Sequence, residues 1–240
     1  MTGPPAVLQR LGLAAVLMLA AGASPAPPHA LNLDAGRWLT YANGSEHEHF
    51  APANVDGALV VELPVDAPPF FTAFGRSTTA PSDDYLFTDA PPLTGARALS
   101  ASFALALSPG AALNTRFEAS NTCPGGPTAR LLFSAPGPLT DWRGATLPYT
   151  RWYSAPIALT PGAHTLTVLL DPSAWTDVFA DRGDSTRPPR GQSATPLEGF
   201  RAALAHPRVG LVLGGGCFAG HGVGVVGGTG RLTLTGYEIE

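Results

Sequence analysis

Four aromatic residues lie close together in the sequence, with an arginine beside them. They are Trp142, Tyr149, Trp152 and Tyr153, and the arginine is Arg151. A flat aromatic side chain can pack on the apolar face of a sugar ring while neighbouring polar groups bind its hydroxyls. Aromatic residues also fill the cores of β-sandwiches, and strand alternation would bury one of Trp152 and Tyr153 and turn the other outward. The group is a candidate ligand-binding site, with core packing as the alternative.

A pair of adjacent aspartates could ligate a cation. Asp83 and Asp84 follow a serine beside a predicted strand, and Asp56 and Asp89 offer further carboxylates. Oxygen ligands supplied by loops suit Ca²⁺. These residues predict a structural calcium ion as the one candidate cofactor, although their spacing matches no known calcium-binding motif.

The most unusual polar stretch is Glu46–His49. On a strand, His47 and His49 would face the same way and could supply two metal ligands. A zinc site needs a third protein ligand and usually a fourth. The other histidines considered, His164, His206 and His221, show no recognisable spacing. We therefore favour the alternative, a solvated loop or sheet edge.

The chain has two cysteines, Cys123 and Cys217. Two thiols in an oxidising compartment usually pair. A bridge between them would close a loop of about 95 residues. In a chain-entropy account, such a bridge stabilises the folded state by about 4 kcal/mol. The alternative is a nucleophilic cysteine with His221 near Cys217. We expect the disulfide.

No motif of a known catalytic site is present. The chain lacks Gly-x-Ser-x-Gly, His-Glu-x-x-His and Ser-x-x-Lys. The glycine-rich stretches Gly214–Gly216 and Gly220–Gly230 lack the Lys-Ser/Thr and the βαβ context of a phosphate loop. Carboxylates for glycoside chemistry would have to come from dispersed residues such as Glu62, Glu118 and Glu198. Enzymatic activity stays open, and we favour a non-enzymatic protein.

The first 30 residues have the order of parts found in a signal peptide. Arg10 precedes the apolar run Leu11–Ala21, and small residues follow it. Cleavage could fall after Ala23, Ala26 or Ala30. The alternative is a buried N-terminal helix. We expect residues 1–30 to be removed and the mature chain to be secreted or periplasmic.

Charge and hydropathy exclude two classes of partner. The net charge is −4, and the 14 basic residues, all arginine, form no basic cluster, so nucleic acid is not expected. No run after residue 30 approaches the 18 or so apolar residues of a transmembrane helix, so no membrane span is expected. Nothing in the sequence indicates an oligomeric state.

Apolar and polar residues alternate along several segments, which is the pattern of half-buried strands. The clearest segment is Arg97–Leu107, and the last is Arg231–Ile239, whose parity changes near Gly236, where a β-bulge would fit. The other predicted strands are Arg37–Tyr41, Ala58–Leu63, Phe70–Phe74, Tyr85–Thr88, Leu113–Ala119, Thr128–Ser134, His164–Leu170 and Val209–Leu213. Leu113–Ala119 and Thr128–Ser134 should form a hairpin around Cys123.

Two short helices interrupt the strands. Pro172–Phe179 could form about two turns, and Thr195 with Glu198 has the spacing of a helix-capping pair before Leu197–Ala205. Short strands separated by turn residues predict an all-β protein, an antiparallel β-sandwich or jelly roll with one or two short helices. We expect one domain over residues 31–240.

Three segments carry a family resemblance: Thr150–Ser154, Leu170–Trp175 and Gly214–Gly222. Over residues 120–240 the chain resembles a group of uncharacterised secreted bacterial proteins, which are similar to the galactose-binding-like jelly rolls of carbohydrate-binding modules. The resemblance implies glycan binding.

These observations rank three hypotheses about function. The first is a secreted or periplasmic, non-enzymatic β-sandwich that binds a carbohydrate or a cell-envelope polymer near residues 142–153. The second is a structural or interaction module of the envelope with no small-molecule site. The third is a polysaccharide hydrolase or lyase with dispersed carboxylates.

Overall fold

Antiparallel strands make up most of the protein. The computed structural model describes residues 28–42, 48–50, 52–63, 72–75, 88–115, 126–135, 151–177, 180–188, 194–205, 207–214 and 223–240. These residues form strands, one α-helix and two short 3₁₀ helices. The predicted all-β class is confirmed.

The strands are numbered in chain order. They are β1 His29–Ala30, β2 Leu39–Ala42, β3 Glu48–Phe50, β4 Ala53–Val55, β5 Ala58–Leu63, β6 Thr72–Gly75, β7 Thr88–Asp89, β8 Ala98–Leu107, β9 Ala112–Asn114, β10 Thr128–Ser134, β11 Arg151–Ser154, β12 Ile157–Ala158, β13 Gly162–Leu169, β14 Trp175–Thr176, β15 Arg208–Gly214, β16 Gly224–Val226 and β17 Gly230–Ile239. The α-helix is α1, Pro196–Ala205, and the 3₁₀ helices are Ala35–Arg37 and Pro172–Ala174.

The first sheet has the order β13-β8-β17-β5-β4, and β1 pairs with β17. Strand β8, next to the central strand β17, alternates as the sequence predicts, because Leu99, Phe103 and Leu105 are buried in the core. The opposite side of the sheet carries small hydroxyl residues. Ser100 and Thr167, on β8 and β13, have their hydroxyl oxygens 2.8 Å apart.

A β-bulge interrupts β17 at the predicted place. The register against β8 shifts between Leu234 and Gly236, so that Thr235 is an extra residue. The Thr235 hydroxyl donates to the Ser102 carbonyl at 3.0 Å. Because the extra residue changes the parity of the strand, Leu234 and Tyr237 both face the core.

The second sheet has the order β14-β11-β10-β15-β6-β2-β3, with β12 beside β10 and β7 beside β15. Strand β10 points Ala129, Leu131 and Phe133 into the core. Strand β15 does the same with Val209, Leu211 and Leu213. The residues between them face the other side, which we call the outer face of the second sheet.

The inward residues of both sheets belong to one hydrophobic cluster, so the sheets pack as a sandwich. A buried hydrogen bond also joins them: the Tyr237 hydroxyl on β17 donates to the Gly210 carbonyl on β15 at 3.2 Å. Strands β9 and β16 form a separate two-stranded ribbon whose Val225 is fully buried in the same cluster.

Helix α1 begins with the predicted capping pair. Glu198 Oε2 accepts from the Thr195 backbone N–H at 2.8 Å, and the Glu198 N–H donates to Thr195 Oγ1 at 3.2 Å. The Thr195 N–H and the Thr195 hydroxyl, which donates to Glu198 Oε2 at 3.0 Å, lower the pKa of the Glu198 carboxyl group. The cap orients the helix so that Phe200 and Ala203 enter the core. In the described parts of the chain, no helix is long and apolar enough to cross a lipid bilayer.

Two sequence predictions about local structure are wrong. The described part of β9 pairs with β16, and β10 pairs with β11, β12 and β15, so these strands do not form the predicted hairpin. The helical turn after Asp171 stops at Ala174, and Trp175 begins β14. There the Trp175 indole is fully buried and donates to the Leu169 carbonyl at 2.7 Å. Tertiary packing of this ring overrides the local helical pattern.

Candidate functional site

The structure places the two described aromatic residues of the predicted site, Trp152 and Tyr153, on opposite faces of β11. Strand alternation places Trp152 in the core, fully buried, with its ring 5.3 Å from that of Phe200 in an edge-to-face arrangement. Phe200 packs in the same way on Phe133, at 5.3 Å. In this position Trp152 stabilises the contact between β11 and α1 and offers no face to a sugar.

Tyr153 points to the outer face of the second sheet, as alternation predicts, but only 2% of its surface is exposed. Arg151 lies on the same face and is half-buried. With so little of its surface exposed, Tyr153 offers no aromatic face on which a sugar could stack.

Several predicted site residues lie outside the described residues. These are Trp142 and Tyr149 of the aromatic group, Cys123 and Cys217 of the disulfide, Asp83 and Asp84 of the calcium site, and His47, His206 and His221.

The remaining candidate metal ligands are dispersed. Asp56 lies in the tight turn between β4 and β5, at φ 50°, while Asp89 belongs to β7 of the other sheet. His164 stacks on Phe103 at 5.2 Å, and its Nε2 donates to the Thr160 carbonyl at 2.7 Å. Within the described ranges, no three His, Cys, Asp or Glu side chains approach closely enough to hold a metal ion.

Two of the three glutamates considered for catalysis have structural partners. Glu62 Oε1 accepts from Arg231 Nε at 2.6 Å on the exposed side of the first sheet. Glu198 caps α1. Glu118 lies outside the described residues.

Arginines occupy both ends of the outer face of the second sheet. Ser134 on β10 is directly opposite Arg151 on β11 and Arg208 on β15. Because opposed residues share a face, the two arginines flank the serine. Arg130 lies four residues earlier on β10, about 13 Å away along the strand. Between these ends lie Tyr153 and the fully buried Leu132, and the fully buried Val212 is directly opposite Arg130.

Arg130 lies beside an interruption of the sheet. On β11 and β12, the three residues Ser154–Pro156 oppose only two residues of β10, because Tyr153 pairs with Leu132 and Ile157 pairs with Ala129. Ala155 and Pro156 are exposed as a result. We call this place the β11–β12 interruption.

The Ser154 side chain takes the place of a ladder hydrogen bond at the interruption. Its hydroxyl accepts from the Leu131 N–H at 2.9 Å and donates to the Ala155 carbonyl at 3.0 Å. The Ser154 carbonyl is left to accept from Arg130 Nη1 at 3.0 Å. Desolvation by burial lowers the pKa of the Arg130 guanidinium, and the nearby Tyr153 opposes that effect.

Sequence patterns did not indicate Arg130, Ser134 or Arg208 as residues of the candidate site. The available signal was alternation in Thr128–Ser134, where an arginine follows Ala129 and precedes Leu131 and so must face away from the core.

No protein-family description matches this chain, and no curated protein is significantly similar to it.

Proposed function

We propose that this protein is an exported, non-enzymatic β-sandwich that binds a carbohydrate or a cell-envelope polymer. The observation that carries the proposal is the set of half-buried arginines on one face of the second sheet: Arg130, Arg151 and Arg208. A guanidinium has five N–H donors in a fixed plane and can bind hydroxyl, carboxylate or sulfate oxygens.

Export is supported by the signal-peptide pattern of residues 1–30. The pairing of β10 with β15 is compatible with the disulfide expected in an exported protein. Thr128 at the start of β10 pairs with Gly214 at the end of β15, and its hydroxyl donates to the Gly214 carbonyl at 2.9 Å. Cys123 lies five residues before Thr128, and Cys217 three residues after Gly214. Extended segments of those lengths reach about 17 and 10 Å, enough for the two sulfur atoms to meet. We propose the Cys123–Cys217 disulfide on this ground.

One observation favours a second candidate, a structural or interaction module without a small-molecule site. Trp152 and Tyr153, two of the four aromatic residues assigned to sugar binding, are buried in the structure. Their first role is packing.

Glycan-array binding of the purified full chain tests the two candidates against each other. If the binding proposal is correct, the chain should bind one class of glycan. Replacement of Arg151 and Arg208 by glutamine should weaken that binding at least tenfold, because charge-assisted hydrogen bonds to the glycan would be lost. The matched control is Arg97→Gln, which removes an exposed arginine bound to Glu240 on the first sheet. No signal on any glycan would support the structural module instead.

A further inference from the structure

Arg130 differs from the ion-paired arginines on the surface of the molecule. Arg97, Arg182 and Arg231 are largely exposed, yet each binds a carboxylate, at 2.9, 2.7 and 2.6 Å. Arg130 is less exposed and has no carboxylate partner among the residues that the structure describes. Arg130 is thus more desolvated than these three arginines and, unlike them, lacks a counter-charge in the described parts of the chain.

Most donors of Arg130 are unused in the described structure. Nη1 donates to the Ser154 carbonyl, while Nε is buried and has no hydrogen-bond partner in the described parts of the chain. A buried donor that lost water and gained no partner costs free energy, and a desolvated charge costs more. An anion bound by the other nitrogens would offset the cost of the desolvated charge, and uncompensated charges concentrate at binding sites for this reason.

The surroundings favour an anion that carries one negative charge. Arg130 is the positive residue of the described strand segments that form the β11–β12 interruption, where Ala155 and Pro156 are exposed to solvent. Its register partner on β15 is Val212, followed on β6 by Ala73, so neither position adds a carboxylate or a second cation. The nearest acidic register position on this face, Asp89, lies opposite Arg208 at the other end.

We propose that Arg130, at the β11–β12 interruption, binds a carboxylate or sulfate-ester group of an acidic polysaccharide. The inference rests on the proposed function and specifies its ligand class. The guanidinium would donate from Nη2 and from the second Nη1 hydrogen to the oxygens of the group, while the Ser154 carbonyl accepts the other Nη1 hydrogen. Tyr153 lies on the same face beside it.

Three polymers of matched length test this assignment with the full chain: polygalacturonate, dextran sulfate and neutral dextran. We expect polygalacturonate or dextran sulfate to bind at least tenfold more tightly than dextran. Comparison of the two shows whether the carboxylate or the sulfate is the bound group. Arg130→Gln should remove that preference, because it deletes the charge and the fork, whereas Arg231→Gln on the first sheet should leave the preference unchanged.

An equal affinity for acidic and neutral polymers would overturn the assignment while leaving glycan binding intact. An acidic preference that survives in Arg130→Gln would also overturn it. A chain that binds no glycan of the array would defeat the proposed function itself. If Arg130→Gln does not fold, methyl-esterified polygalacturonate replaces the variant: retained binding of the ester by the wild-type chain contradicts the assignment, and lost binding supports it.

Discussion

The hydroxyl of Tyr237 donates to the carbonyl of Gly210 across the interior of the sandwich, at 3.2 Å. Tyr237 belongs to β17 of the first sheet and Gly210 to β15 of the second. The tyrosine ring also packs on Trp38, with ring centroids 5.9 Å apart. Because this bond joins the backbone of one sheet to a side chain of the other, it fixes where the sheets lie relative to each other.

Replacement of Tyr237 by phenylalanine should lower the free energy of unfolding by about 1 kcal/mol, the net worth of a typical internal hydrogen bond. The ring and its packing remain, so the change isolates the hydroxyl. Urea unfolding followed by fluorescence measures it. Tyr153→Phe is the matched control, because the Tyr153 hydroxyl makes no hydrogen bond to the described residues, and it should change the free energy by less. Equal effects of the two substitutions would contradict this account.

Burial raises the pKa of Tyr237 far above its ordinary value. The neutral phenol is therefore stabilised in the folded state, and its contribution is complete below the unfolded pKa of about 10. As the pH rises above about 10, the unfolded chain loses this proton and the folded chain keeps it, so stability falls by up to about 1.4 kcal/mol per pH unit.

Urea unfolding at several alkaline pH values measures this dependence. The Tyr237→Phe chain should show a shallower decline than the wild type over the same range, since it has no such proton. Parallel declines of the two chains would show that Tyr237 does not titrate in this way.

Gly183 is fixed by close contact with its neighbours. A Cβ atom at this position would lie 2.7 Å from the Pro172 carbonyl oxygen and 3.0 Å from the Phe200 ring. Gly183→Ala should therefore destabilise the protein by about 1–3 kcal/mol through overpacking. Thermal unfolding measures the loss. Gly126→Ala is the control, because a Cβ there meets no atom within 4 Å, and its melting temperature should stay the same or rise.

The proposed Cys123–Cys217 disulfide predicts a linked pair of peptides in a non-reducing digest of the protein purified from its exported location. Replacement of both cysteines by serine should lower the free energy of unfolding by about 4 kcal/mol in a chain-entropy account. A reducing agent should destabilise the wild type and leave the double variant unaffected. Alkylation of both thiols in the native, unreduced protein would exclude the bridge.

Strand positions could be predicted well where turn residues bound a short apolar run. Thr128–Ser134 and Ala58–Leu63 match β10 and β5 residue for residue, because Pro127 and Pro136 bracket the first segment and Gly57 and Pro64 bracket the second. Strand pairing could not be predicted in the same way. The partner of β9 is β16, more than a hundred residues later, and no local pattern in Ala112–Asn114 specifies it.

The candidate site was less predictable than the fold, for a reason that Trp152 and Arg130 illustrate. Aromatic residues at successive positions are equally suited to a binding surface and to a core. The packing of Phe200 from α1 on Trp152 shows that Trp152 belongs to the core. Whether an arginine is ion-paired depends on strands from elsewhere in the chain. The neighbours of Arg130 come from β11, β12 and β15, which are separated from it by up to about eighty residues.

The extra residue in β17 also bears on how the length of this strand can vary. No residue of β8 pairs with Thr235, while Leu234 and Gly236 pair with the consecutive residues Phe103 and Ser102. A chain that lost Thr235 alone would regain an uninterrupted ladder, and Tyr237 would keep both its partner Ala101 and its inward direction. Deletion of Thr233 would instead make Leu232 and Leu234 consecutive, so that one of the two leucines turned away from the core. Shortening of this strand is thus compatible with the sandwich at the bulge.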